Sequence, residues 1–207
     1  MPYTLAHPIL IYPLKNKRFQ NYFNFSALFF GAMSPDFDYF LNLNFYGDLG
    51  HHFPQTVWFC LITTFSACYL FHNLTKPALI ANLPAFLEEK FSSYQSERFE
   101  LKSKRDFLVF TYSALIGSFS HLFLDHFTHK TGFFVEKFEF LQSSIFGYQV
   151  FKLLQLGLGG LGILALIWFI FSLQSNHTIK AINPKTAFGF LGLIISSFFD
   201  FKNLSLD

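Results

Sequence analysis

The sequence predicts an all-α, polytopic helical membrane protein, and three observations carry that expectation. The 207 residues are 52% hydrophobic and only 14% charged, whereas charged residues make up about a quarter of an ordinary soluble domain. Leu153–Leu173 is an apolar run with Gln155 as its one strongly polar member; as a helix it is about 31 Å long, matching a hydrocarbon core of about 30 Å. Apolar blocks alternate with polar connections at 15–21, 42–56, 75–106, 127–152 and 174–186. The expected architecture is a single domain, 1–207, with an N-terminal helical hairpin and about four further apolar helices.

Taken in order, Leu5–Leu14 and Tyr22–Met33 are each too short to span comfortably, and Lys15, Lys17 and Arg18 form a basic turn between them. They read as a hairpin of two short helices, of a length suited to a re-entrant element. Ser34-Pro35-Asp36 has the form of a helix start, with Ser34 as cap, Pro35 at the first position and Asp36 favoured by the dipole. Val57–Leu74, Phe107–Leu124 and Ala187–Phe199 are further apolar helices, shorter or interrupted by Ser, Thr and His, and buried helices of a soluble protein would show similar runs. Thr75–Asp106 mixes Glu88, Glu89, Glu97 and Glu100 with Lys90, Arg98, Lys102, Lys104 and Arg105, which suits an exposed helical excursion with solvated charge pairs. Gly157-Leu-Gly-Gly-Leu-Gly162 matches a dinucleotide-binding pattern literally, yet it follows no predicted strand and lies inside the strongest apolar run; close helix packing explains it better.

Charge sets the orientation. With the turn at 15–21 on the cytoplasmic side, the cytoplasmic connections carry three, six and two basic residues, eleven in all, against three on the opposite side. Met1–His7 lacks the charged start of a signal peptide, so the helices themselves are expected to direct insertion into the membrane. A net charge of +2 with no basic stripe gives no reason to expect nucleic acid. Cys60 and Cys68 lie inside one predicted helix, too far apart for a disulfide, and read as packing residues.

That orientation gathers His7, Asp36, Asp38, His51, His52, His121, Asp125, His126 and His129 at the non-cytoplasmic end, and leaves His72 and His177 on the other. Ionisable groups at the mouth of an apolar block must be paired, wetted or bound to a metal. On a helix turning about 100° per residue, His121, Asp125 and His129 fall within an arc of about 80°, while His126 points roughly 100° away from Asp125. Gly50 would let the backbone beside His51 and His52 approach a ligand closely. Asp36/Asp38 pairs a second carboxylate with one that capping alone would explain. Imidazoles with carboxylates suit a divalent cation, zinc above all, and such a centre activates water against a phosphoester. No G-x-S-x-G is present, and no cysteine lies near a histidine in the predicted mouth.

The order of three motifs, Met1-Pro-Tyr-Thr-Leu-Ala-His-Pro8, Gly31-Ala-Met-Ser-Pro-Asp-Phe-Asp-Tyr-Phe40 and Gly117-Ser-Phe-Ser-His-Leu-Phe-Leu-Asp-His-Phe-Thr-His129 with Gly132, resembles the DUF4184 family of uncharacterised bacterial membrane proteins over nearly the whole chain. The order His, Pro-Asp-x-Asp, loop His, His-x-x-x-Asp is also distantly similar to the LexA-binding, inner-membrane metal-dependent hydrolases, and more loosely to the zinc phospholipase C and P1 nuclease group. That similarity implies metal ligands at His7, Asp36, His51 or His52, His121 and Asp125, with Asp36 as an alternative water-orienting base. The chain departs from both patterns. Gly50-His51-His52 replaces a His-Arg-Gly-x-Thr-His loop, so the choice between His51 and His52 stays open; the N-terminal Trp and late His-x-x-x-Glu of the phospholipases are missing. His126, His129 and Glu136 are weaker candidates for a second ion.

The expected function is a membrane-embedded, metal-dependent hydrolase acting on a lipid or envelope phosphoester at the outer face. The alternative is a non-catalytic integral membrane protein in which the same groups hold a structural metal or form a polar cluster, with a scaffolding or partner-binding role. Metal or proton transport fits less well, because no ionisable ladder continues through the bilayer.

Overall fold

Two prolines decide the shape of the N-terminal segment. Pro8 and Pro13 bring no backbone N–H, so the expected helix over Leu5–Leu14 is replaced by short 3-10 turns, Thr4–Ile9 and Tyr12–Lys15. The computed structural model describes residues 4–42, 50–51 and 54–173; His52, His177 and the apolar block Ala187–Phe199 lie outside them. Helix dominates, in two units: Met1–Tyr69 with Phe99–Phe171, and Leu70–Arg98 with Ser172–Asp207.

Helix α1 (Phe25–Met33) starts three residues later than expected, where the Asn24 side chain accepts the Ala27 N–H at 2.9 Å. Ser34 is no N-cap. Its hydroxyl donates back to the Gly31 carbonyl at 2.8 Å, and the chain runs on through a 3-10 turn, Ser34–Asp36, into α2 (Phe37–Asn42). Helix α3 (Gln55–Leu70) buries both cysteines as free thiols, in keeping with a packing role.

In the second unit a π-helical turn, Phe71–Thr75, precedes α4 (Lys76–Ala81). Pro77 has no N–H to offer the Asn73 carbonyl, four residues back, and Arg98 supplies the missing donor at 3.2 Å, with the His72 carbonyl at 3.4 Å. Helix α5 (Ala85–Phe91) makes the charged excursion partly helical. Its charges are not all solvated: Lys76 is buried, 3.1 Å from His72 Nδ1 and 3.9 Å from Glu97.

Back in the first unit, a capping box of Ser103 and Asp106 starts α6 (Lys104–Thr128). Short helices α7 (Phe133–Lys137) and α8 (Glu139–Gln142) follow, then a hairpin of β1 (Ser144–Ile145) and β2 (Tyr148–Gln149), a small exception to the all-α expectation. Phe146 and Gly147, at φ 52° and 81°, form its two-residue turn. Helix α9 (Val150–Ser172) completes the described chain. Among the described residues, three helical stretches, Gln55–Ala81, Lys104–Lys137 and Val150–Ser172, are long and apolar enough to cross a membrane.

The α1–α6 crossing sets the framework for the histidines. A Cβ on Gly31 would run into the Ala114 backbone, and one on Gly117 into the backbone of Leu28 and Ala32, so the two helices meet main chain to main chain. Ala27, Ala114, Cys68 and Phe110 pack around this contact. Gly162 of α9 meets Ala6 just as closely, whereas Gly157 and Gly160 face open space, so only part of the glycine run packs as expected.

Candidate metal centre

Four segments of the first unit bring their polar groups to one point. The N-terminal 3-10 turn carries Thr4 and His7, the turn between α1 and α2 carries Asp36, the Gly50–His51 turn carries His51, and α6 carries His121 and Asp125 one turn apart with His129 as its C-cap. Gly50 serves the protein rather than a ligand: a Cβ there would overlap the Pro35 carbonyl, so only glycine lets this loop lie against the Asp36 turn.

Asp125 lies at the middle of the cluster. Its Oδ1 is 3.4 Å from His7 Nε2 and 3.2 Å from His129 Nδ1, and its Oδ2 is 3.2 Å from His121 Nε2 and 3.5 Å from His51 Nε2. Asp36 Oδ1 is 3.4 Å from His121 Nε2 and 3.8 Å from His51 Nε2. Two sets, His7/His121/Asp125 and Asp36/His51/His121, each offer one ligand atom per residue with all atoms within 4.8 Å of one another. His7 and His121 are fully buried, and the side chains of Asp125, His51 and His129 are 12%, 20% and 39% exposed, so the cluster reaches solvent on the His51/His129 side.

The surroundings orient these groups. His121 Nδ1 donates to the Ala32 carbonyl at 2.8 Å, which turns Nε2 toward the cluster. Thr4 acts twice: its hydroxyl donates to Asp36 Oδ2 at 2.6 Å, and its carbonyl lies 3.3 Å from His7 Nδ1. His121 Nε2 is buried without an aligned hydrogen bond despite its carboxylate neighbours. Burial lowers the His7 pKa below the ordinary 6.5, against the raising effect of its hydrogen bond to Asp125. Burial would by itself raise the Asp36 carboxyl; the His121 imidazole beside it and the hydrogen bond donated by Thr4 outweigh that and hold the group at about 2.

Spacing tests whether a cation fits. Charge-assisted N–H···O bonds are about 2.7–2.9 Å long, whereas ligands about 2.1 Å from a tetrahedral ion sit roughly 3.3–3.4 Å from one another. The nitrogen–oxygen separations around Asp125, 3.2 to 3.5 Å, match the second figure. The donor set, imidazole nitrogen with carboxylate oxygen, suits zinc.

Other candidates stand apart. Asp38 is buried in the first turn of α2 and belongs to neither ligand set. His126 is exposed, and its Nδ1 accepts the Phe133 N–H at 3.2 Å, which fastens α7 to the end of α6. Glu136 is exposed on α7 and also lies outside both sets. His52 lies outside the described residues. Thr4 and the Ala32 carbonyl escaped the sequence reading: a threonine three residues before a histidine has no signature of its own, and a main-chain carbonyl has none at all.

A mainly helical chain with a histidine–carboxylate cluster at the tip of its α1–α6 crossing is the class the structure defines. The profile of the domain of unknown function DUF4184 matches residues 1–205, and the chain belongs to that family. No curated protein matches it. No solved structure does either.

Proposed function

We propose that the chain is a multi-pass membrane protein whose His/Asp cluster holds a divalent cation, zinc by its ligand set, and hydrolyses a phosphoester or related bond in a lipid or envelope substrate. The observation that carries this reading is the convergence of His51 Nε2, His121 Nε2 and Asp125 Oδ2 at ligand spacing, with His121 Nε2 buried and lacking an aligned hydrogen bond. Apolar helices support the membrane assignment, and the excess of Lys and Arg in the other connections supports the non-cytoplasmic face of a bacterial cytoplasmic membrane. A cation bound there supplies charge neutralisation for a phosphoester oxygen and lowers the pKa of water.

The protein's own groups do the rest. Ala32 and Thr4 hold His121 and Asp36 in the orientations the reaction needs. Asp36 has the widest spacing, 3.8 Å from His51, and is ionised at neutral pH; it orients the attacking water and accepts its proton. The partly exposed edge at His51 and His129 admits substrate.

Elemental analysis of detergent-purified protein beside His121→Ala and Asp125→Ala variants tests the reading. Metal in the wild type and its loss from both variants is expected; equal content in all three would sink it. Turnover of a chromogenic phosphodiester by the metal-loaded wild type then separates hydrolase from scaffold. Bound metal without turnover of any phosphoester would favour the structural-metal alternative.

A further inference from the structure

Helix α7 does not continue α6. Residues seven apart on one helix stand about 10 Å apart along its axis, yet the rings of Phe127 and Phe134 stack with centroids 4.1 Å apart, and Phe123 meets Phe134 edge-on at 5.9 Å. The fold-back is built into the main chain. A Cβ on Gly132 would overlap the His126 carbonyl, and His126 Nδ1 accepts the Phe133 N–H at 3.2 Å. Val135 and Leu141 then pack with Val150 and Phe151 at the start of α9. Helices α7 and α8 are therefore fixed beside the last two turns of α6, at the level of Phe123 and Phe127, and not beyond its tip. Their inner side is used up in that core. Phe133, Phe138 and Phe140 remain outside it, each more than half exposed, as is Phe123 next to them.

Helix α6 sets the depth of these rings. Counted from Phe107, the first residue after the charged run Lys104–Asp106, a hydrocarbon core of about 30 Å takes up about 20 residues of helix and ends near Phe127. Both α6 and α9 are long and apolar enough to cross, so the segment between them leaves and re-enters the bilayer at one face. Lys130, Glu136, Lys137 and Glu139 interleave with the rings and cancel in charge, so attachment there rests on apolar area and needs no anionic lipid. From this geometry we infer that α7 and α8 form a lipid-binding surface lying in the plane of the membrane, seated where hydrocarbon meets head groups, an inference that rests on the membrane reading above and deepens it. Its occupants are the glycerol and upper acyl-chain regions of bilayer phospholipids, the layer in which amphipathic surface elements settle. The consequence falls on the cluster. His129, the C-cap of α6 and part of the cluster's exposed edge, stands two residues beyond Phe127, at the height of lipid phosphates. A phosphoester entering there is the head group of a lipid still held by its chains, which narrows the substrate class to phospholipids and away from soluble esters.

Spin labels on the full-length protein in phosphatidylcholine nanodiscs measure this depth, through the ratio of collisions with oxygen, which concentrates in the bilayer, to collisions with a water-soluble nickel chelate. Ile116→Cys, midway along α6, supplies the hydrocarbon reference and Lys102→Cys, with a side chain 79% exposed, the water reference. The wild type, whose Cys60 and Cys68 are buried, is the unlabelled control. Labels at Phe138→Cys, Phe140→Cys and Lys130→Cys should all read between the two references. A reading equal to either reference at Phe138 and Phe140, with Ile116 in hydrocarbon, overturns the lipid surface and leaves the membrane reading standing; a water-like value would free the rings for a protein partner. Lys130 alone at the water value overturns the narrowing to phospholipids. Ile116 as wet as Lys102 overturns the surface and the membrane reading together.

Discussion

Thr4 joins two members of the cluster through different atoms, its hydroxyl to Asp36 and its carbonyl to His7, and only the first link depends on the side chain. Thr4→Val, which keeps the shape and removes the hydroxyl, should weaken Zn²⁺ binding by about 10–100-fold in a competitive chelator titration. His126→Ala should leave Zn²⁺ affinity unchanged, since its Nδ1 is occupied by the Phe133 N–H. Burial also makes His7 pH-sensitive in the chelator-treated protein. Its native pKa lies below 6.5, so the unfolded chain takes up the proton first; stability is full above 6.5 and falls as the pH drops below it. A melting series from pH 8 to 5 reads this directly, and a flat profile would contradict it. At this scale the sequence was informative about which histidines and carboxylates share a helix face and silent about what orients them. His121, Asp125 and His129 are visible as a stripe at helical spacing, whereas the parallel stack of His7 on His121 depends on contacts across the fold that no spacing encodes.

Helices were legible where length and apolarity decide, and illegible where a single backbone group does. The apolar runs become α3, α6 and α9, but the prolines at 8 and 13 turn an apolar decapeptide into 3-10 segments, and Pro77 opens a π turn that Arg98 must satisfy. The β hairpin, with strands of only two residues, is too short to show alternation. The α1–α6 crossing makes a sharper prediction. Gly117→Leu forces a side chain into the backbone of Leu28 and Ala32 and should destabilise the protein by about 3 kcal/mol or more. Gly157→Ala meets nothing within 4 Å and gains helix propensity, so its effect should stay within about 1 kcal/mol, on the stabilising side. Thermal unfolding in detergent compares the two; equal melting temperatures would refute the backbone contact.

For the whole molecule, the proposed sidedness can be tested at its two extremes. Phe146 is 96% exposed at the hairpin tip, and Glu89 lies in the charged excursion. Phe146→Cys should react with a membrane-impermeant maleimide in intact spheroplasts and Glu89→Cys only after lysis; the reverse pattern would place the cluster inside. Cys60 and Cys68 are fully buried and contribute little background. The contact between His7 and Asp125 spans 118 positions of sequence. At ribosomal speeds of about 5–20 residues per second, His7 leaves the ribosome roughly 6–24 s before Asp125 does. The first residues of the chain therefore wait, without their partners, until α6 has been made: a chain that stops short of α6 never assembles the His/Asp cluster, and under the proposed metal reading cation uptake would mark completed synthesis.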